Sequence, residues 1–590
     1  MTRFLATRGL LRASCVAALL AASHSSRAAE AFNAETGRAP ALLAPERSPF
    51  IGGAEPSPLL EVVWGARVAA VAWLAPEEGA DFPFGKMASA AAGSEEAPAP
   101  HRTPRESSPV AGPPLAAPRS QSPPPEPLAA AIEEALVRLV LHDEPVNPLG
   151  AGDWRSARAA IGAFYADRTF EPVWANANGL TDAGRAILRQ LGRAEEDGLD
   201  LKPTSLPREV KPPLSPADAA AAEVAIATAV VVYAEQASGS RVAAPRISPL
   251  IAAAANVADP GAALASVAVA RDPAARLADY NPPQKGYRAL RDELKRLTER
   301  ADASDSASAG FDDGLLATDA YPSADLEEPP RRQAKIHRRR IAHAASANSA
   351  RLSFIARRRA AILANMEMWR WEPREMGERR IEVNVPDFSA SLIDGDTVVH
   401  QARVVVGKPN TPTPIFSNVM RYVLINPSWQ VPDSIIRKEM LPRVAADPEY
   451  FVRHGYQVRM VGGRLTVRQP PGEDNALGRL AFMFPNDYSV YMHDTPSQQL
   501  FEAEARAFSH GCIRVEDPVR LAELVLNWPE SRITAAFGAR ERTVFLPHPL
   551  PIHIEYFTEF VDPFGELQER ADVYGLARRV ADTLSKTRQD

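Results

Sequence analysis

The chain has 590 residues with 67 Lys and Arg against 73 Asp and Glu, a near-neutral balance that gives no electrostatic case for nucleic acid or an anionic membrane surface. Proline supplies 54 residues, well above the usual ~5%, so the folded share is smaller than length alone suggests. Two cysteines, Cys15 and Cys512, exclude a disulfide framework.

Residues 1–28 read as a secretory signal peptide. Arg3, Arg8 and Arg12 precede the apolar run Ala13 to Ala22, and Ser26-Arg27-Ala28 is a small-x-small cleavage site. Its removal leaves no transmembrane span expected in the mature chain. Residues 29–127 form a Pro/Ala-rich spacer, with 18 prolines between Ala31 and Ala130, and are expected to be disordered. Within it, Leu59 to Ala75 is apolar with Trp64 and Trp73, but Glu61 and Arg67 make it a poor membrane span and leave a docking segment as its only reading.

Residues 128–300 carry helical periodicity in AIEEALVRLVL, DWRSARAAIGAFY and LTDAGRAILRQLGRAEEDG. Ser215-Pro216, an N-cap followed by proline at the first helical position, opens a long Ala/Val helix that should end near Gly239. This predicts an α-helical domain. Residues 301–345, an Asp/Ser/Ala run followed by RRQAKIHRRR, read as a disordered, charge-segregated linker.

A helix from Arg351 to Trp371 then leads into a mostly β domain over 346–580. Polar and apolar residues alternate through IEVNVPDFSASLIDGDTVVHQARVVVG, with a two-residue hairpin signal at Asp394-Gly395. Further strands are expected at Arg421 to Ile425, Gln457 to Arg468, Ala481 to Phe484 and Ser489 to His493. Between about 432 and 480 the β pattern gives way to IIRKEMLPRVAADPEYFVRHG and QPPGEDNALG, an insertion.

The chemistry concentrates between Tyr491 and Val515, where YMH is followed sixteen residues after the histidine by SHGCIRV. Once the signal is removed, Cys512 is the only thiol, and a single Cys with a His elsewhere is a candidate nucleophile. Gly511 allows a tight turn beside it. Glu516, Asp517 and Pro518 open a helix just downstream, so a helix N-terminus, Arg514 and an imidazole are each expected to stabilise the thiolate. Alternation in SVYMH turns Tyr491 and His493 away from buried Val490 and Met492, toward a groove. The same residues admit plainer roles, a small buried hydrophobe and a satisfied core histidine, and His493, His510 and Cys512 could be weighed as zinc ligands but lack a clear fourth partner.

His493 followed by Ser509, His510, Gly511, Cys512, Ile513 and Arg514 resembles the signature of the L,D-transpeptidases, which remodel peptidoglycan. The likeness extends through NPSWQVPDSI and VVVGKPNTPTP to roughly residues 350–575, and FYADRTFEPVW and EEDGLD resemble the scaffold part of that family's large periplasmic subgroup. The resemblance implies a multidomain protein in the periplasm: an α-helical scaffold domain plus a mostly β L,D-transpeptidase catalytic domain with an inserted lid subdomain at 432–480. It implies Cys512 as nucleophile, His493 as proton donor and acceptor, Gly511 in the oxyanion region and the backbone carbonyl of Asp494 orienting His493. Arg514, Ser509, His510, Tyr491 and Trp429 are the substrate-binding candidates; a surface salt bridge for Arg514 and core packing for Trp429 stay open. The partners implied are peptidoglycan stem peptides as donor and acceptor. No cofactor or metal is required, because the amide broken and the amide formed are close in energy. A stem-trimming carboxypeptidase, a thiol hydrolase releasing wall-attached lipoprotein, and a non-catalytic wall scaffold remain as alternatives.

Overall fold

The computed structural model describes residues 127–141, 147–149, 152–201, 206, 211–254, 256–316, 331–538, 540–562 and 564–586. The signal peptide and the spacer to residue 126, with its 59–75 patch, lie outside the described residues.

The first core is helical. Helices α1 (Pro127–Leu141), α2 (Trp154–Ala166) and α3 (Asp182–Leu191), with the two-residue strands β1 (Ala175–Asn176) and β2 (Gly179–Leu180), surround α4 (Pro216–Ala237) together with α5 (Pro260–Ala268) and α6 (Pro273–Ala278). As the sequence predicts, Ser215 caps α4 by accepting from the Asp218 N–H, proline occupies the first turn, and Gly239 follows the end at φ +115°. By length and composition α4 could cross a membrane, but 16 of its residues are buried among the surrounding helices, so here it is a core helix. Burying Glu223 on α4 is tolerated because both oxygens are satisfied: Oε1 accepts from Tyr165 Oη at 2.6 Å and the Val173 N–H at 2.7 Å, and Oε2 from the Trp174 and Ala175 N–H groups at 2.7 and 2.6 Å.

The expected linker is largely helix. α7 runs from Lys285 to Leu316 and α8 from Arg331 to Trp369, with 317–330 outside the described residues. The fall in apolar content marks a change of environment there, and helix propensity survives it. Tyr287, Leu290, Leu294 and Leu297 of α7 pack with Ile362, Met366 and Trp369 in the second, β-rich core, as do Val242 and Ile247. Arg370 lies at this junction, buried: its Nη2 donates to the Asp197 carbonyl at 2.6 Å and to Tyr287 Oη at 3.1 Å, and its Nη1 pairs with Glu367 at 3.2 Å.

The second core is wrapped by β3 (Arg379–Asn384), β4 (Ser389–Asp394), β5 (Thr397–Gly407), β6 (Phe416–Ile425), β10 (Leu480–Met483), β11 (Met492–His493), β12 (Ala507–Ser509), β13 (Ile513–Val515) and β14 (Arg542–Glu555), with α9 (Pro518–Leu526) and α10 (Leu576–Lys586), while β7 (Trp429–Gln430), β8 (Gln457–Val461) and β9 (Arg464–Gln469) form a separate sheet in the order β7-β9-β8. Nine strands pair in the order β12-β5-β13-β11-β10-β6-β14-β3-β4, and β4 also pairs with β5, so the ladder closes on itself. Pairs β11–β13, β12–β5 and β14–β3 are parallel.

The β4–β5 turn is displaced by one residue from the expected hairpin. Asp394 pairs with Thr397, leaving Gly395-Asp396 as the turn, with Gly395 at φ +58°. The strand expected from Ser489 shortens to Met492–His493 because Ser489 sits at φ +56°, outside the β region. The insertion is broken helix: Asp433–Ile435, a π-helical turn over Ile436–Met440, Leu441–Ala446 and Tyr450–Arg453. β9 returns to pair with β7, Trp429 opposite Gln469.

Candidate active site

Sheet register brings the two reactive residues together. In the parallel β11–β13 pair, Met492 faces Ile513 and His493 faces Arg514, and the Ile513 N–H donates to the Tyr491 carbonyl at 3.1 Å. Cys512, the residue before Ile513, therefore stands at the level of Tyr491, two residues along the adjacent strand from His493 and on the same side of the alternation.

His493 is only 4% exposed, against the expectation of an imidazole open to the groove. Its Nδ1 bonds the Asp494 carbonyl at 2.5 Å, which puts the proton on Nδ1 and leaves Nε2 as acceptor. Asp494 is itself pinned. Its Oδ2 accepts from the Arg479 N–H and its Oδ1 from the Thr495 N–H, both at 2.7 Å. Gly478, at φ +61°, makes room: a Cβ there would lie 2.3 Å from the Asp494 carboxylate.

Burial, then the nearby Arg514 cation, drives the His493 pKa down to about 3 against the weaker opposing pull of the Asp494 bond. Burial pushes the Cys512 thiol up, partly offset by a hydrogen bond from the Tyr491 backbone and by Arg514. Both shifts favour a neutral thiol beside a neutral imidazole over a preformed ion pair. The helix N-terminus does not act on the thiol, because β13 intervenes: Asp517 caps α9 five residues beyond Cys512, roughly 15 Å of extended chain. At rest Cys512 Sγ lies 3.9 Å from the Ser489 carbonyl.

Ser509 is not a groove residue. It is 2% exposed, and its hydroxyl accepts from the Gly511 N–H at 3.0 Å while donating to the Cys512 carbonyl at 2.6 Å. Gly511, at φ +120°, makes the tight turn its residue type promised, but its N–H is consumed by Ser509 and is not available to an oxyanion. Among the described residues no group accepts from the Cys512 N–H. The segment Gly407–Thr413 grips the loop from behind: the Lys408 N–H and Thr411 Oγ1 donate to the Ser509 carbonyl at 3.0 and 3.1 Å, and Thr413 Oγ1 donates to the Gly511 carbonyl at 2.8 Å.

Arg514 makes no salt bridge among the described residues, which removes that plainer reading. Its Nε is buried without a hydrogen-bond partner, and burial lowers its pKa. Tyr491 is half-buried, its ring 5.8 Å from that of His493, and burial raises its pKa. His510 turns to the insertion, its Nε2 lying 2.5 Å from Glu439 Oε1 in the π-helical turn. Trp429, half-buried at the root of the insertion, has no hydrogen bond or ring contact to this group among the described residues.

Sequence reasoning missed Thr413, Glu439 and Gly478. Thr413 lies in VVVGKPNTPTP, a stretch that carries the resemblance without a role for the hydroxyl, and Gly478 closes QPPGEDNALG, which reads only as part of the insertion. Glu439 gives no local signal, since its partner is 71 residues away.

Residues 378–543 match the family model of the L,D-transpeptidase catalytic domain, and residues 159–294 match that of a scaffold domain. This chain carries a YkuD-type L,D-transpeptidase catalytic domain behind a scaffold domain. A Haemophilus influenzae protein that bears an L,D-transpeptidase name is 31% identical over 222 residues, 34% of this chain and 45% of that protein, so the chain matches less than half of that relative. Among solved structures, an L,D-transpeptidase from Mycobacterium smegmatis is 17% identical at a TM-score of 0.17, covering 30% of this chain and 58% of that one. The catalytic domain of an E. faecium L,D-transpeptidase is 16% identical at a TM-score of 0.17, covering 30% and 98%. In the L,D-transpeptidase domain, Cys512, His493 and the Ser509–Gly511 turn all fall inside the matched span.

Proposed function

We propose that the protein is a periplasmic peptidoglycan L,D-transpeptidase that uses Cys512 as a covalent nucleophile. The observation that carries this reading is the juxtaposition of the lone thiol, across adjacent parallel strands, with a neutral imidazole whose Nδ1 is fixed on the Asp494 carbonyl.

His493 Nε2 takes the thiol proton as the sulfur attacks the carbonyl between the third stem residue, diaminopimelate, and D-Ala of a tetrapeptide stem. The C–N bond breaks, the proton passes from His493 to the departing amine of D-Ala, and a thioester remains on Cys512. The side-chain amine of a second stem then attacks the thioester, its proton goes to His493 and on to the sulfur, and a 3→3 cross-link is released. The Cys512 N–H is the oxyanion donor. Arg514, with an unpartnered buried nitrogen, is the cation for the stem carboxylate, and Tyr491 lines the groove beside it. The insertion between 432 and 480, tied to the catalytic loop through Glu439 and His510, serves as a lid that excludes water while the thioester waits.

The test is mass spectrometry of the full chain with tetrapeptide stems. The expected result is a Cys512 adduct that has lost D-Ala, followed by 3→3-linked dimers in excess over free tripeptides. Cys512→Ala should abolish both and leave the thermal melt in place. Tripeptides alone at high acceptor concentration would make the protein a carboxypeptidase, and full activity in Cys512→Ala would end the nucleophile assignment.

A further inference from the structure

We propose that Thr413 is a positioning residue for the oxyanion: its hydroxyl holds the Gly511 carbonyl and, through the planar Gly511–Cys512 peptide, aims the Cys512 N–H at the oxygen of the carbonyl under attack. The proposal rests on Cys512 attacking a carbonyl, as above.

A trans peptide is planar, and its C=O and N–H point in opposite directions, so fixing one fixes the other. Thr413 is 1% exposed, and its Oγ1 donates to the Gly511 carbonyl at 2.8 Å while accepting from the Gly407 N–H at 2.9 Å. The Gly511 carbonyl therefore points into the protein interior, and the Cys512 N–H on the other end of the same peptide points away from it. The adjoining polar groups are already committed: Ser509 Oγ holds the Gly511 N–H and the Cys512 carbonyl. Gly511 needs such a hold. At φ +120°, with no Cβ, its peptide planes would otherwise rotate over a wide range. Thr413 is fixed in turn by Tyr574, whose hydroxyl accepts from the Thr413 N–H at 3.2 Å and donates to the Gly407 carbonyl at 2.7 Å. The hydroxyl touches neither the thiol nor the imidazole, so it acts through one peptide plane.

An oxyanion role separates acyl transfer from simple alkylation. When the sulfur displaces p-nitrophenolate from p-nitrophenyl acetate, the carbonyl passes through a tetrahedral oxyanion. When it displaces iodide from iodoacetamide, no oxyanion forms. Thr413→Val keeps the shape and loses the donor, and Thr413→Ser keeps the donor. In the full chain, the p-nitrophenolate burst should slow about 10- to 100-fold in Thr413→Val, below the ~10²–10³ for deleting an oxyanion donor outright. Thr413→Ser should recover most of the rate. Iodoacetamide alkylation of Cys512 should keep its rate and pH profile in both. Tyr574→Phe should give a smaller loss of the same kind, and it carries the test if Thr413→Val fails to fold. Equal loss of acylation and alkylation, or no loss of acylation, would overturn the proposal. A wild type that reacts with p-nitrophenyl acetate but not with stem peptides would overturn the stem reading and leave the Thr413 comparison intact. A wild type that is alkylated but never acylated would overturn both.

Discussion

Holding His493 neutral in the folded protein has a cost that pH reveals. An imidazole in an unfolded chain titrates near ~6.5, whereas in the fold burial and Arg514 bring it to about 3. Between those values the unfolded state binds a proton that the folded state refuses, so the contribution to stability is complete above pH ~6.5 and is lost progressively as pH falls toward 3. At about 1.4 kcal/mol per unit, His493 should account for roughly 2 kcal/mol of lost stability by pH 5. His493→Gln removes the titration while keeping a polar side chain. Urea denaturation of the full chain, followed by tryptophan fluorescence because Trp369 and Trp371 belong to the catalytic core, should show wild type losing about 2 kcal/mol more than the variant between pH 7 and pH 5. The functional corollary is that His493 stays neutral, and able to accept the thiol proton, well below the usual imidazole range, so the activity profile should show no acid limb near pH ~6.5. Parallel losses in wild type and variant, or an imidazolium signal from His493 in NMR spectra at pH 5, would refute the assigned depression and with it the neutral thiol–imidazole pair.

Two further outcomes follow from the geometry. Glu223→Ala strands the buried Trp174 and Ala175 N–H groups, the partly buried Val173 N–H and the Tyr165 hydroxyl, which at roughly 1 kcal/mol apiece predicts a loss of about 4 kcal/mol; a urea midpoint within error of wild type would contradict it. Glu439→Ala removes the tie between the insertion and His510, an exposed pair worth up to ~1 kcal/mol, so limited proteolysis within 432–480 should speed up by as much as about fivefold, and unchanged cleavage would show that the contact does not hold the insertion down.

The parts of this molecule written in local pattern were legible in its sequence. The Ser215 cap with Pro216, the Asp517–Pro518 start of α9 and the spacing from His493 to Cys512 each involve residues that contact one another or share a strand pair, and all lie where expected. The misreadings have two physical causes: partners distant in sequence, as for His493 and α7, and turn geometry that residue types alone do not fix, as for Ser509, whose hydroxyl is taken by Gly511 and Cys512. Ser509 reads as a groove hydroxyl until the turn that consumes it is seen. The burial of His493 depends on sheet neighbours that SVYMH does not contain. The stretch around 301–345 reads as linker because it lacks an apolar stripe, yet backbone helix continues through much of it. α7 is helical in pattern, but nothing local to it announces that its apolar face is buried in the neighbouring core.

The stretch matching the catalytic family stops at residue 543, one residue after β14 begins at Arg542. The rest of that strand pairs with β6 and β3, and the chain beyond it supplies Tyr556, whose hydroxyl receives the Tyr574 N–H at 2.7 Å, and then the Tyr574 hydroxyl behind Gly407 and Thr413. The C-terminal segment thus works as a keystone: it holds no reacting group, yet the arch over the thiol leans on it. Shortening the chain from that end, by a protease or by an expression boundary drawn at the edge of the family match, would silence Cys512 with every reacting side chain still in place.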